Sequence, residues 1–547
     1  MKQENKIKMK RITLATLSFM VGGVVFGQNL PDAIKKTDNE RYEEAGKEFR
    51  ALIANNGADL GDAYFFYGDN YYQSDDLDSA KIIWKKGLDL NPENFLSQVG
   101  QGKTLWLSGD TTAANGIFQT VLKNSKRRNA ELMRQIASVY INSPIKSLNQ
   151  AVNLLNEAIK IDPKNQLNFL LLGDAQVEIN PRNSTEAMKS YNQAGNINNN
   201  ARVFVRKAKI YQRAQNPKLA DSLYMVAQTL EPNYAPAYRE RAELNMRFNQ
   251  TNQSITNWEK YLALNDSDYA RYRYATSLFL GKKYAETAKE INTIHSRGFK
   301  NLYSQRLLAY SLYEVNNENK ADSSAYLAGF NVIDEFFKTT PQDKIIADDY
   351  KFKAMYHQKM NQEDLYFQNM EKAAEIDKEN AGDIYSDLAK YFMKEKKYEQ
   401  AIEMYNKKMA GDSSKLSLGE MYELGRAYYF GPKDYVKCDE ANAYVLTKSP
   451  DYAMSFLWRG RANVKIDIDK TTWSAKPFYE KFYSLLTEEE KTGAYKSMAL
   501  ESLKFMGDYY FSSPEKNLEK AAEVWSEVQI LSPDDAQAKA FFASYKK

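Results

Sequence analysis

The chain contains one cysteine, Cys438, among its 547 residues, so it cannot form an intramolecular disulfide. Its only histidines, His295 and His357, lie far apart and no cysteine pair accompanies them, which argues against a zinc site. No H-E-x-x-H motif, G-x-S-x-G motif or ordered Ser/His/Asp set is present. These absences predict a protein that is not an enzyme and binds no cofactor or metal.

Long apolar stretches are also missing, except near the N-terminus. There, a basic segment precedes an apolar run from Ile12 to Phe26, and Val25-Phe26-Gly27 supplies an acceptable cleavage end. A transmembrane anchor is the alternative, but it needs about 20 apolar residues. We therefore predict a signal peptide at residues 1–27 and export of the chain from Gln28. The periplasm is the expected location, with outer-membrane association or secretion as alternatives.

The net charge of +4 comes from this N-terminal segment. Residues 1–27 hold five basic residues and one acidic residue, so residues 28–547 carry 70 of each sign. A neutral exported chain gives no electrostatic reason to expect nucleic acid or an anionic membrane as partner. Glycine (25) and proline (14) are few beside 39 tyrosines, a composition that disfavours disorder and suits helices packed through aromatic side chains.

A repeated pattern fills the rest of the sequence. In Ala201–Tyr234, two stretches with apolar residues at helical spacing flank the turn signal Asn216-Pro217. Small and large residues recur at fixed places in it: Ala208, Tyr211, Ala220, Tyr224, Ala227 and Pro232. Gly61–Asn94 repeats the pattern with Gly68, Tyr71, Ala80, Trp84, Gly87 and Pro92. These features resemble the tetratricopeptide repeat (TPR), a helix-turn-helix unit of 34 residues, and the chain's C-terminal end resembles secreted TPR proteins of Bacteroidetes-type bacteria.

The resemblance implies an all-α, right-handed superhelical solenoid, in which we count about fourteen complete or degenerate units. The segment from Lys338 to Lys344 is the least helical part of the chain. It predicts two arrays, at residues 28–337 and 347–547, with a possible hinge at 338–346. Gly100-Gln-Gly-Lys-Thr104 looks like the end of a phosphate-binding loop, but Ser97 stands where the first glycine is needed. We interpret Gly102 as a small residue at a helix crossing.

First helices line the concave face of a TPR solenoid, and the family pattern places a basic and aromatic cluster there in the middle of this array. Its residues at those positions are Arg202, Lys209, Arg213, Arg239, Arg247, Tyr269, Tyr272 and Phe279, and Arg206 and Arg273 are adjacent to them. Such a mixture suits an acidic or C-terminal peptide segment. The family's Lys and Asn carboxylate clamp is not reproduced. In the alternative interpretation the charges only pair with Glu240 and Glu243 in a solvated groove.

The resemblance therefore predicts a non-catalytic scaffold of the bacterial cell envelope that binds a protein or peptide partner on its concave face. Outer-membrane assembly, secretion and uptake machinery are the expected sources of that partner. Two other classes stay open. The tyrosines could stack against glycans in polysaccharide uptake, with Tyr269 and Tyr272 as the platform, or the chain could be an enzyme with a non-standard site.

Overall fold

The computed structural model describes residues 29–55, 60–410 and 416–545. The predicted signal peptide lies outside these residues. Within them all regular structure is helical, with 30 α-helices, two short 3-10 helices and no strand. None of these helices is long and apolar enough to span a membrane. The chain forms two compact units, which divide between Lys300 and Asn301.

The first unit contains sixteen helices. They are α1 (Leu30–Asp38), α2 (Tyr42–Ala54), α3 (Leu60–Gln73), α4 (Leu77–Leu90), α5 (Phe95–Leu107), α6 (Thr111–Asn124), α7 (Ala130–Asn142), α8 (Leu148–Ile161), α9 (Gln166–Ile179), α10 (Thr185–Ile197), α11 (Ala201–Arg213), α12 (Pro217–Leu230), α13 (Ala235–Arg247), α14 (Thr251–Leu264), α15 (Asp268–Leu280) and α16 (Tyr284–Ser296).

The second unit contains fourteen α-helices, and its 3-10 helices span Ser323–Tyr326 and Gln342–Lys344. The α-helices are α17 (Leu302–Glu318), α18 (Leu327–Thr339), α19 (Ala347–Lys359), α20 (Glu363–Ile376), α21 (Ala381–Lys394), α22 (Tyr398–Ala410), α23 (Leu418–Phe430), α24 (Tyr435–Lys448), α25 (Ala453–Ile466), α26 (Lys476–Leu485), α27 (Glu488–Thr492), α28 (Lys496–Ser512), α29 (Leu518–Leu531) and α30 (Ala536–Tyr545).

Consecutive helices pack as pairs, eight in the first unit and six in the second, with α27 and α30 outside the pairs. The fourteen pairs confirm the predicted all-α repeat architecture. In many places the first helix of a pair also contacts the first helix of the next pair, as α3 does with α5 and α11 with α13. These first helices therefore share one face of their unit, and side chains from several repeats meet there.

The turn inside each pair follows from a few residues. In the pair α11–α12, Gln215 adopts a left-handed backbone conformation (φ 55°), and the Asn216 side chain accepts a hydrogen bond from the Leu219 amide (3.2 Å). Pro217 then opens α12, where its missing N–H costs nothing. The pair α3–α4 uses Asp75 (φ 69°) and an Asp76 cap in the same way. This chemistry reverses the chain within three residues and brings the two helices together.

Small residues occupy the helix crossings, as the spacing predicts. At Gly68 an added Cβ would lie 2.3 Å from Cδ1 of Trp84, and at Gly173 it would lie 2.2 Å from Cε1 of Tyr191. Both distances are far below van der Waals contact, so the aromatic rings of the second helices rest directly on the backbone of the first. Alanine serves the same purpose at Ala208, which has no exposed surface.

The segment Gly100–Thr104 lies inside α5 and is not a loop. Gly102 lies against the Phe118 ring, where an added Cβ would be 2.4 Å from Cε1, which confirms its role at a crossing. Lys103 is buried and forms an ion pair with Asp69 (Nζ–Oδ1 2.8 Å) while its ammonium lies over the rings of Tyr72 and Trp84. Gly102 and Lys103, the glycine and the lysine of the phosphate-loop pattern, therefore both have structural roles.

The predicted hinge at residues 338–346 lies within the second unit. It begins in the last turn of α18 and includes the 3-10 helix before α19. Buried Asp349 anchors this segment, because it accepts hydrogen bonds from the Ile346 amide (2.9 Å) and the Arg306 side chain (2.7 and 2.8 Å). Arg306 also donates to the Lys344 carbonyl (2.9 Å). Hinge motion here stays a prediction.

Candidate functional site: a charged groove in the first unit

First helices of the first unit border a groove, which we define by two adjoining cavities. The inner cavity, of about 440 Å³, lies between α7, α9, α11, α13 and the α1–α2 turn. The outer cavity, of about 700 Å³, is bordered mainly by α1, α3, α7 and α9, and shares Asp38, Arg206 and Tyr234 with the inner one. The charged residues of the inner cavity are Lys146, Arg206, Lys209, Arg213 and Arg239 with Asp38, Glu40, Asp174, Glu178 and Glu240.

Half of the predicted cluster lies at this groove, namely Arg202, Arg206, Lys209, Arg213 and Arg239. The other half lies elsewhere in the unit. Arg247 is exposed at the end of α13, and no other described residue forms an ion pair with it. Tyr269 is 59% exposed, Tyr272 is partly buried, and the Phe279 ring packs edge-on against Tyr284 (5.3 Å between centroids). The predicted aromatic residues therefore do not line the groove.

Carboxylates of α9 pair with the cations of α11. Asp174 accepts two hydrogen bonds from Nε of Arg206 (2.9 and 3.0 Å) and one from Nη2 (2.9 Å). Burial alone would lower the pKa of Arg206, but the Asp174 carboxylate outweighs it and raises that pKa. Glu178, one turn further along α9, pairs with Arg213 (3.3 Å) and with Lys146 of the α7–α8 connection.

Glu240 on α13 holds two further cations. It lies 3.1 Å from Nζ of Lys209 and 3.0 Å from Nη1 of Arg239. Burial would raise the pKa of this carboxyl group, but Arg239 and Lys209 outweigh the effect and lower it. Outside the groove, Arg273 donates to Glu243 (2.7 Å from Nε to Oε1). The pairing with Glu240 and Glu243, the alternative interpretation of the sequence, is thus present.

The remaining carboxylates come from the other end of the unit. Arg202 donates from Nη2 to Asp38 (2.7 Å), and Arg239 donates from Nε and Nη2 to Glu40 (3.1 and 2.8 Å). The Tyr261 hydroxyl donates to the same Glu40 carboxylate (3.0 Å). These contacts join residues that are 164 to 221 positions apart in the chain.

Sequence reasoning missed both sets of carboxylates, for different reasons. Asp174 and Glu178 occupy the same repeat positions in one unit as Lys209 and Arg213 do in the next. Extending the positional mapping back by one repeat would have found them. Asp38 and Glu40 carry no such signal, because repeat positions describe neighbouring pairs and not contacts between the first pair and the sixth and seventh.

The groove is therefore polar and balanced, with five cations and five carboxylates in its inner cavity. Tyr234 lies near arginines and carboxylates of the groove, and burial raises the pKa of its hydroxyl to about 12. Such a surface can bind a segment by exchanging internal ion pairs for external ones.

Among the described residues, no group of three or more His, Cys, Asp or Glu is placed to hold a metal ion. Cys438 is fully buried in the second unit, and burial raises the pKa of its thiol to about 12.

A tetratricopeptide repeat family model matches residues 61–94. The chain is 20% identical to the human mitochondrial import receptor subunit TOM70 over 261 residues, which are 47% of this chain and 41% of the receptor. The match therefore spans less than half of that relative.

Among solved structures, the C-terminal part of a TPR protein from Cytophaga hutchinsonii is 26% identical, with a TM-score of 0.37; the match covers 49% of this chain and 98% of that one. A TPR protein from Parabacteroides merdae is 16% identical, with a TM-score of 0.32, covering 50% and 98% of the respective chains. Residues 61–94 cover the helix pair α3–α4, and thirteen further pairs of consecutive helices are present in the described part of the chain. The chain therefore contains a tetratricopeptide repeat at residues 61–94, within an all-α array of helix pairs.

Proposed function

We propose that this protein is a non-catalytic scaffold whose first unit captures an extended, acidic segment of a protein partner in the groove. TPR proteins bind protein partners, and proteins of this family are in general non-catalytic. The observation that carries the proposal is the convergence of Arg202, Arg206, Lys209, Arg213 and Arg239 from two successive first helices. A segment lying across these helices would meet several of the cations at once, so its affinity would be spread over several repeats.

The cations differ in how accessible they are to such a segment. The side chains of Lys209 and Arg213 are 47% and 42% exposed, and each contacts one carboxylate. The pair of Arg213 with Glu178 is a surface pair, which contributes little to stability, about 0–1 kcal/mol. The partner of Lys209, Glu240, is only 11% exposed, but it keeps Arg239 as a second cation when Lys209 turns away. Lys209 and Arg213 can therefore turn to an incoming carboxylate at small cost, which makes them the first contacts of the partner.

Binding of an acidic probe tests this function. We expect a fluorescein-labelled peptide of eight glutamates to bind the chain from Gln28 onward, and added salt to weaken the binding through screening. The double variant Lys209→Gln, Arg213→Gln should bind about tenfold more weakly, the loss expected from removing two charge-assisted contacts. Fluorescence anisotropy at several salt concentrations measures both effects.

The matched control is Lys85→Gln with Lys189→Gln. Both lysines lie on second helices, are 71% and 66% exposed, and pair with a carboxylate of their own helix. This control removes the same net charge from outside the groove and should leave affinity within about twofold of the unaltered chain. Equal losses in both variants, or no binding of the peptide at all, would contradict a groove-specific site.

The cellular setting of this function is also a proposal. We propose that residues 1–27 direct export and that the protein works in the cell envelope, most simply in the periplasm, with a partner from outer-membrane assembly, secretion or uptake machinery. The basic segment, apolar run and Val25-Phe26-Gly27 end support export. In cell fractions, mass spectrometry should find the envelope form beginning at Gln28. A protein that retains Met1 and stays in the cytoplasm would refute this.

A further inference from the structure

We propose that the turn between α1 and α2 is an internal ligand of the groove, which an acidic partner segment must displace. The inference rests on the proposed function, and it adds that the turn competes with the partner segment for the groove. The turn is the segment Asp38-Asn39-Glu40, and it supplies two of the five carboxylates of the inner cavity.

The contacts of the turn are those expected of a bound acidic peptide. Glu40 forms a bidentate pair with Arg239 and accepts a third hydrogen bond from the Tyr261 hydroxyl. Asp38 lies two residues earlier and accepts from Arg202 on the neighbouring first helix. A planar guanidinium that meets a carboxylate through two parallel bonds is a specific recognition geometry. The groove thus fits two carboxylates spaced two residues apart.

The backbone of the turn is ordinary for this chain. Glu40 has a φ of 57°, close to the values at the turns of other pairs, such as 55° at Gln215 and 57° at Asn249. The turn therefore needs no special conformation to reach the groove. What sets it apart is the pair of acidic side chains, whose partners lie on α11, α13 and α14 instead of on the next repeat.

One polar side chain of the docked turn is not fully hydrogen-bonded. Asn39, between the two acidic residues, is buried, and its side-chain oxygen has no hydrogen-bond partner among the described residues. A buried acceptor left without a donor opposes docking, since in solvent it would bond to water. The apolar contacts of the first pair are made elsewhere, where Ala45 and Phe49 of α2 pack with Tyr67 of α3.

Asn70 of α3 holds both sides of the turn, since it accepts from the Thr37 hydroxyl (2.9 Å) and donates to the Tyr42 carbonyl (3.1 Å). Displacement of the turn must therefore overcome these two hydrogen bonds as well as the ion pairs of Asp38 and Glu40.

Charge gives the turn its effect on binding. With Asp38 and Glu40 in place, the inner cavity has five cations and five carboxylates. Without them, three carboxylates would face the same five cations, and Arg202 would lose its partner as well. The docked groove is thus neutral, and the open groove is positive. Lys209 and Arg213 are accessible in both forms, but only the open form offers all the cations to an acidic segment. Tight binding therefore requires the open form, and docking reduces the apparent affinity in proportion to the fraction of molecules that are open.

The first experiment compares the unaltered chain with the double variant Asp38→Asn, Glu40→Gln, using the eight-glutamate peptide as probe. We expect the variant to bind the probe at least about tenfold more tightly, the factor for a turn that is docked in nine molecules of ten. Asp75→Asn is the matched control, because exposed Asp75 occupies the corresponding turn of the pair α3–α4. That control should bind the probe as the unaltered chain does.

The second experiment needs no variant. Hydrogen exchange of the unaltered chain is followed by mass spectrometry with and without saturating probe. Displacement predicts faster exchange in residues 30–41 together with slower exchange in α11 and α13. Unchanged or slower exchange in residues 30–41 would overturn the inference even if the double variant failed to fold.

The outcomes separate the two proposals. Equal affinity of the unaltered chain and the double variant, both lowered by Lys209→Gln with Arg213→Gln, would overturn the internal ligand and leave the groove as a binding site. Absence of binding in every form would reject the proposed function itself. Tighter binding by the double variant with faster exchange at residues 30–41 supports both.

Discussion

Replacing Asp349 with alanine is expected to lower the free energy of unfolding of the second unit by about 3–5 kcal/mol. Asp349 has no exposed surface, and its carboxylate accepts hydrogen bonds from Arg306, the Tyr310 hydroxyl (2.7 Å) and the Ile346 amide. Removing it takes the Asp349 carboxylate away from a largely buried guanidinium and from two further donors. Breaking a buried pair from one side in this way costs more than the pair itself contributes to stability.

The loss of Asp349 should loosen the segment around residues 340–350 before it unfolds the whole second unit. Arg306 and Asp349 connect α17 to the start of α19 across the 3-10 segment at residues 342–344. Loss of the carboxylate also removes the hydrogen bond that caps α19 at Ile346. Hydrogen exchange should therefore accelerate first in residues 340–350, and urea unfolding followed by circular dichroism should report the loss of stability.

Asp348→Ala is the control for this variant. Asp348 adjoins Asp349, but its side chain is 59% exposed and pairs with Lys351 (3.1 Å), so its loss should cost less than about 0.5 kcal/mol. Asp349→Asn tests the cause, since it keeps the shape and removes the charge. A stability of Asp349→Ala equal to that of Asp348→Ala would show that the buried pair does not hold this segment.

Replacing Trp84 with alanine is expected to destabilise the first unit by about 3–5 kcal/mol. The indole is buried between the first helices of two successive pairs, with Gly68 on one side and Gly100 on the other. Its Nε1 donates to the Phe65 carbonyl (3.1 Å), and Lys103 lies over its ring. The substitution would open a cavity where two successive repeats meet and remove the indole donor from that carbonyl.

The matched control is Ile82→Ala on the same helix. Ile82 is 56% exposed, so its truncation should change stability by less than about 0.5 kcal/mol. Thermal unfolding compares the variants, and hydrogen exchange should place the effect of Trp84→Ala in α3, α4 and α5, because each repeat contacts mainly its neighbours. A uniform increase of exchange across the first unit would instead indicate that the unit unfolds as one cooperative block.

The repeat architecture was readable from the sequence because its causes are local. Gly68, Ala208 and Ala220 are small because two helices cross at each, and Trp84 and Tyr224 are large because each fills the space beside such a crossing. These requirements recur in every pair, so about fourteen units could be counted without coordinates. The same argument assigned Gly102 to a crossing and not to a phosphate loop, and its contact with Phe118 agrees.

Only half of the site could be predicted from the sequence. Repeat positions specify the face on which a side chain lies, but not the residues that it contacts there. Arg202, Lys209, Arg213 and Arg239 were placed at the groove by position alone, and Arg206 as a residue adjacent to those positions. Tyr269, Tyr272 and Phe279 satisfy the same positional rule but do not line it. Their neighbours come from adjacent helices, whose packing depends on side-chain volumes that a positional rule does not include.

The sequence by itself determined the helices, their pairing and the basic character of α11, because these depend on contacts within about 40 residues. Only the tertiary structure decided the state of the groove. The curvature of the first seven stacked pairs, summed from small rotations between neighbours, brings Asp38 and Glu40 to Arg202 and Arg239. A small change in each rotation would separate these charges. A contact built from so many small geometric steps leaves no local pattern in the sequence, although it converts a basic groove into a neutral one.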